Sequence, residues 1–298
     1  MPFATAQDYR RIRSALRFVT SYPGSSNHYF VCSVTGGTSS GHGYTPDAPL
    51  TTLNAAIALC TAAKGDIIHV LPGHTEALTA AAAIAANISG ISIQGYGNGR
   101  NRPAFNWTTA VGASFDISAA NVTLKNLAFV VGLDAITAMF NVTGADVTFD
   151  GCEFAMSTGT LTAVLGILTA ATATRLTVKN CRFIAPLAIT GTTALITACI
   201  QHEVGIDYVI ENNEFYGDAT QHVLNATAVL GGKIHNNTFT VGTGTKGIAV
   251  HASSTPFITN NRFNVPSGTA PIVAAAGFVA GNIYSAAAGV TAGTASTF

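Results

Sequence analysis

The sequence is poor in charged residues. Only 9% of its 298 residues are Asp, Glu, Lys or Arg, against roughly 25% in ordinary soluble domains. Its 14 basic and 14 acidic residues cancel, so net charge gives no reason to expect a nucleic-acid partner. Disorder is excluded, because 48% of the chain is hydrophobic and disordered chains show the opposite balance. A surface with so little charge favours a protein whose apolar faces are covered by assembly.

Long apolar runs and metal-binding spacings are also lacking. The most apolar run, residues 77–86, is too short for a bilayer core of about 30 Å, so we expect no membrane partner. The first 20 residues carry four arginines and no apolar signal core, which predicts assembly in a reducing cytoplasm. No two of the five cysteines have CxxC spacing, so we predict free thiols and expect no metal or cofactor.

A pattern of eight residues recurs along the chain. Each copy has an apolar third residue, Asn or Gly at its fifth position and Phe at its eighth. The copies lie at residues 122–129, 147–154, 176–183, 208–215, 232–239 and 256–263, and a weaker copy ends at Tyr284. The final aromatic residues are 25, 29, 32, 24, 24 and 21 residues apart.

This repeat predicts stacked coils. Alternating apolar residues indicate a strand with one buried face, and Asn or Gly after the strand suits a bend with positive φ. One such unit every 21–32 residues is typical of a parallel β-helix. We therefore predict an all-β, right-handed, single-stranded parallel β-helix with the Phe residues stacked inside, the alternative being a β-sandwich. We also expect an amide ladder formed by Asn126, Asn180, Asn212, Asn236 and Asn260.

The remaining segments flank this repeat. Residues 28–284 are assigned to the β-helix and its cap, with a helix at about 50–63 covering the open end. Residues 1–27 are predicted to form an amphipathic helix, either packed on its own domain or docked on an acidic partner. Residues 285–298 are a small, polar C-terminal tail. The arginines of the N-terminal segment are Arg10, Arg11, Arg13 and Arg17.

Most outward charges of the repeat have a structural interpretation. Stacking places the fourth residue of each copy in one row and the seventh in another, and the charges largely alternate in sign along both rows. We predict ion pairs between neighbouring coils. The rows contain Lys125, Asp150, Lys179, Glu211 and His235, and Glu153, Arg182, Glu214 and Arg262.

The carboxylates left over give a weak catalytic candidate. Glu203, Asp207 and Asp218 are the densest group, near His202 and His222. Two carboxylates beside a cleft are what a glycan hydrolase needs, although locally satisfied loop residues explain the same pattern. The sequence has a single Trp, which counts against a sugar-stacking groove. We therefore do not predict an enzyme.

A third outward row, formed by the second residue of each copy, contains apolar side chains. The position between the two apolar residues of each strand is Thr in three early copies, but Val209, Phe257 and Phe278 occur in later ones. Large apolar side chains that point outward predict a contact surface. We expect self-association as a homotrimer of β-helices.

The cap carries a family resemblance. The stretches concerned are TPDAPLTTLNAAI at 45–57, GDIIHVLPGHTE at 65–76 and GNGRNRP at 97–103. They resemble the right-handed parallel β-helix (pectate-lyase-like) proteins of tailed bacteriophages, over roughly residues 28–284. The resemblance implies a structural protein located in the virion. We expect a homotrimeric capsid decoration protein that contacts the major capsid protein. Tailspikes of the same fold bind or cleave host-surface glycans, so a glycan-binding or glycan-cleaving role stays open.

Overall fold

The protein is a parallel β-helix of eight stacked coils and a partial ninth, as predicted. The computed structural model describes residues 26–33, 42–158, 161–185, 196–203, 205–242, 246–265, 271–274 and 277–284. The predicted N-terminal helix with Arg10, Arg11, Arg13 and Arg17, and the tail 285–298, lie outside the described residues.

Three parallel sheets form the faces of the β-helix, and each coil passes from sheet I to sheet II to sheet III. The strands of sheet I are His28–Val31, Ile67–Val70, Ser92–Gly95, Thr123–Lys125, Thr148–Asp150, Leu176–Lys179, Tyr208–Glu211, Lys233–His235, Phe257–Thr259 and Phe278–Ala280. The strands of sheet II are Thr75–Leu78, Ala104–Trp107, Ala128–Val131, Glu153–Ala155, Arg182–Ile184, Glu214–Tyr216, Thr238–Thr240, Arg262–Asn264 and Ile283–Tyr284. The strands of sheet III are Ile84–Ala86, Phe115–Ile117, Phe140–Val142, Leu165–Thr169, Ala198–His202, Gln221–Asn225, Lys246–Ala249 and Ile272–Val273.

Short elements complete the described chain. Ser157–Thr158 pairs with Leu161–Thr162 in an antiparallel ribbon, and Gly205–Ile206 pairs with Val229–Leu230 in parallel. A single 3₁₀ turn covers Gly99–Asn101.

Aromatic rings stack through the core as the repeat predicts. Phe154 and Phe183 lie 4.4 Å apart between ring centroids, with an interplanar angle of 6°. Phe215, Phe239 and Phe263 continue the column at spacings of 4.7–4.8 Å. This spacing matches the separation of neighbouring strands. Phe129 departs from the column, since its ring is tilted by 42° to that of Phe154 at 5.1 Å.

The bend prediction is confirmed. The fifth-position Asn residues all have φ between 53° and 57°, and Gly151 and Gly281 take the same place at 65° and 66°. Asn and Gly are the residues that adopt this conformation at least cost.

The predicted amide ladder of Asn126, Asn180, Asn212, Asn236 and Asn260 is wrong by one residue. The ladder consists of the following residue on the later coils, Asn213, Asn237, Asn261 and Asn282. Each Nδ2 donates to the next Oδ1 at 3.0 Å. The bend turns the fifth-position side chain towards the surface, whereas the sixth residue points inward. Asn213, Asn237 and Asn261 are accordingly buried.

The cap helix is shorter than the predicted 50–63 and covers only Leu53–Ile57. Thr52 caps its N-terminus by accepting from the Ala55 N–H. The apolar periodicity continues to Cys60, but the carboxylate of Asp66 accepts from the Thr61 N–H at 2.7 Å and the chain turns away. The helix contacts the first strands of sheets I and III, so it does lie over the open end.

The charge rows are in the predicted register, and several of the ion pairs form. Arg182 Nε lies 3.1 Å from Glu214 Oε2, and Lys125 Nζ lies 3.9 Å from Asp150 Oδ2. His235 Nε2 lies 3.3 Å from Glu211 Oε2. Exposed pairs of this kind contribute up to about 1 kcal/mol each. All five cysteines are buried and free, as predicted.

Candidate functional site

The structure does not gather the three leftover carboxylates into one site. Glu203 follows sheet III and lines a groove of about 220 Å³ together with Asn141 and Leu168. Asp207 precedes sheet I and lines a different groove. Asp218 lies at the corner between sheets II and III on the next coil and is 5% exposed. Because two of these carboxylates face outward in separate grooves and the third is buried, the arrangement lacks a shared cleft.

The two histidines of the same stretch belong to the core. His202 stacks on Tyr208 at 4.4 Å, and its Nδ1 lies 3.1 Å from Thr169 Oγ1. His222 lies against Phe215, with Nδ1 3.3 Å from the Lys246 carbonyl oxygen. Burial lowers the pKa of both imidazoles to about 4. They are therefore neutral packing residues at pH 7.

The groove at Asp207 lies at the corner between sheets III and I, called here the III–I corner. It has a volume of about 300 Å³ and is lined by Arg175, Asp207, Val209, Gly231 and Lys233, among others. The Asp207 carboxylate occupies the space that a Cβ on Gly231 would need, only 2.0 Å from that position. A larger residue at 231 would displace the Asp207 side chain, and the φ of 74° at this position is one that glycine adopts at least cost.

A second column of positive φ runs through this corner, and sequence analysis missed it. Its members are Asn121, Asp146, Arg175, Asp207 and Gly231, with φ between 54° and 74°. The five positions are not occupied by a single residue type, so no recurring amino acid marks the column in the sequence. A signal was nevertheless present, since each of the five directly precedes a copy of the eight-residue pattern.

Arg175 is fixed firmly in this conformation. Its Nε and Nη2 donate to the two carboxylate oxygens of Asp146 at 2.6 Å each, and its backbone N–H donates to the Asp207 carbonyl oxygen at 2.8 Å. The hydrogen bonds from Arg175 lower the pKa of Asp146. A bidentate pair occupies the guanidinium edge and so leaves Asp207 outside this salt bridge.

The outward apolar residues lie on sheet I and at the III–I corner, with Lys233 among them. Val209, Lys233, Phe257 and Phe278 are direct neighbours on successive strands of sheet I. Ile206 and Leu230 are paired beside them at the III–I corner. The exposed fractions are 58% for Ile206, 53% for Leu230, 51% for Phe257 and 40% for Phe278. We call Ile206, Val209, Leu230, Phe257 and Phe278 the apolar strip. Sequence analysis identified its sheet residues and missed its corner residues.

The aromatic residues do not form an exposed sugar platform around Trp107. This ring is completely buried, and its Nε1 donates to the Ala113 carbonyl oxygen at 3.0 Å. Trp107 is therefore a core residue of the second coil.

Across the described ranges, His, Cys, Asp and Glu side chains do not come together in a group of three that could hold a metal ion. Within that part of the chain, none of the helices has the length and apolar character needed to span a bilayer. Comparison with protein-family models, curated proteins and solved structures gives no match.

Proposed function

We propose that this chain is a structural protein of a bacteriophage particle, a homotrimeric capsid decoration protein that binds the major capsid protein. The observation that carries the proposal is the apolar strip. Four large apolar side chains of the strip are each at least 40% exposed. Phe257 and Phe278 lie on neighbouring strands of sheet I, and Ile206 and Leu230 lie on paired strands at the III–I corner. Contiguous apolar patches of this kind mark interaction surfaces.

The charge distribution supports assembly. The outward carboxylates Asp150 and Glu214 form salt bridges with Lys125 and Arg182 on neighbouring coils, and Glu211 lies 3.3 Å from His235 Nε2, which accounts for all three as structural partners. The chain has a formal net charge of zero, so copies approach one another without long-range repulsion. The resemblance of the cap supplies the link to bacteriophages.

The self-association part of the proposal is tested by the sedimentation of purified protein. We expect a trimer, and we expect Phe257→Ser to weaken it at least tenfold. Val111→Ser is the matched control, because Val111 is 52% exposed against 51% for Phe257 and lies outside the strip. A wild-type protein that stays monomeric at all concentrations would contradict the trimer.

The virion part is tested by adding the protein to particles that lack it and imaging them. Binding at regular positions on the capsid lattice is the expected result. Purified trimer that leaves the particles bare would contradict the decoration role.

Glycan binding is the second candidate, and the groove of about 300 Å³ at Asp207 favours it. Arg175, Asp207 and Lys233 offer donors and an acceptor to hydroxyl groups there. A glycan array and a depolymerisation assay on capsular polysaccharide test this role. It requires binding or cleavage that Asp207→Ala abolishes, and activity unaffected by this change would exclude the groove.

A further inference from the structure

We propose that Lys233 of one copy forms an ion pair with Asp207 of the neighbouring copy, inside the interface made by the apolar strip. The inference rests on the proposed self-association and names the polar contact that sets its register. It also gives Asp207 a role other than that of an acid or a base.

Lys233 lies where a cation needs a partner. It is exposed and lies between Val209 and Phe257 on neighbouring strands of sheet I. An interface that covers these side chains also removes the Lys233 ammonium from water. A buried charge without a partner costs several kcal/mol, so a copy that covers the strip must bring a carboxylate.

Asp207 is the carboxylate placed to meet it. It is exposed at the III–I corner and lines the same groove as Lys233, yet neither side chain forms a salt bridge within the described residues. Within its own chain Asp207 interacts electrostatically with Arg175, whose salt bridge is formed with Asp146, and Glu211 lies beside His235.

The geometry suits a second copy of the chain. Asp207 and Lys233 belong to adjacent coils, which are about 4.8 Å apart. Rotation about an axis parallel to the β-helix brings the III–I corner of one copy beside sheet I of the next, and the long stem of the Lys233 side chain spans the offset of one coil to Asp207. Phe257 and Phe278 then form apolar layers next to a ring of three ion pairs.

The apolar area of the strip supplies part of such a contact. The exposed parts of Ile206, Leu230, Phe257 and Phe278 amount to roughly 400 Å², given the 150–250 Å² that an aromatic side chain buries. This is about half of what one partner contributes to a standard interface. Polar groups around the strip must provide the remainder, which is where the ion pair lies.

Charge reversal tests the pairing. We expect Lys233→Asp and Asp207→Lys each to weaken the trimer at least tenfold, and the double variant to restore it. Lys64→Asp, a reversal at an exposed lysine of the cap, is the control and should sediment as wild type. Melting curves of each monomer verify that the variants are folded.

Mixing the two single variants separates a contact between copies from one within a chain. Mixed trimers, in which two of the three pairs are satisfied, should form at lower concentration than the trimers of either variant alone. If the double variant associates but the mixture does not, the pair lies within one chain and the inference fails. Single variants that trimerise like wild type also overturn it, while leaving the proposed trimer intact. A monomeric wild type would instead defeat the proposed self-association itself.

Discussion

Asn236 and Asn237 are adjacent in the chain, yet their side chains have different roles. Asn236 has a φ of 57° and an exposed side chain, whereas Asn237 is buried. Asn237 Oδ1 accepts from the N–H and Nδ2 of Asn213. Its Nδ2 donates to Ile210 O and Asn261 Oδ1. Every polar position of this amide is thus used inside the β-helix.

Substituting the ladder residue should be costly. Asn237→Ala leaves buried groups on both neighbouring coils without partners, and we expect a loss of roughly 2–4 kcal/mol in the free energy of unfolding. Denaturant titration measures this loss. Asn236→Gly is the control, because glycine adopts positive φ freely, and it should change stability by well under 1 kcal/mol. Equal effects of the two changes would contradict the ladder.

The sequence contains enough information to predict that the ladder lies at the sixth position of the repeat. Gly replaces Asn at position 151, which shows that the fifth place is selected for its backbone conformation rather than for an amide. Cys152 and Cys181 precede Asn213 at the sixth place, and cysteine is among the residues most often buried. The two observations together assign the inward side chain to the sixth position.

At the scale of elements, the sequence predicted those parts of the fold in which an amino-acid pattern recurs. It did not predict those in which only the backbone conformation recurs. Sheets I and II carry the recurring pattern, and their register follows from it. At the III–I corner φ is positive at three unlike residues, Asp146, Arg175 and Gly231. The cap helix was predicted too long because apolar spacing does not reveal a tertiary hydrogen bond such as that from Thr61 N–H to Asp66.

The cap also protects an edge of the β-helix. The side-chain amide of Asn54 donates to the Ala83 carbonyl oxygen at 2.6 Å and accepts from the Ala85 N–H at 3.0 Å. It thereby replaces a neighbouring strand at the beginning of sheet III. Uncovered edges of this kind template aggregation.

Removing that amide should weaken the N-terminal end. For Asn54→Leu we expect a loss of roughly 1–2 kcal/mol, together with faster amide exchange at Ala85. Hydrogen-exchange mass spectrometry measures both global and local effects. Ala58→Gln, an exposed change just after the same helix, should leave exchange unaltered. Unchanged protection at Ala85 in the Asn54 variant would show that the edge is closed by other groups.

At the scale of the whole molecule, a β-helix has one continuous core, so a charge created anywhere in it destabilises many coils. His202 and His222 are buried in that core, and burial lowers their pKa to about 4. The unfolded chain binds these protons near pH 6.5. Between pH 6.5 and 4 the unfolded state therefore holds more protons than the folded state, and stability falls as the pH falls.

The loss on acidification should reach about 3 kcal/mol for each of the two histidines, from a shift of roughly 2.5 pH units at 1.36 kcal/mol per unit. Unfolding midpoints measured from pH 7.5 to 4 test this. His202→Phe keeps an aromatic ring against Tyr208 but cannot be protonated, so its stability should fall less steeply with acid than that of the wild type. His251→Gln changes an exposed histidine and should retain the full wild-type dependence. If the slope of the His202 variant equals that of the wild type, His202 is not the source of acid sensitivity. Protonation of another group would then cause the loss of stability in acid.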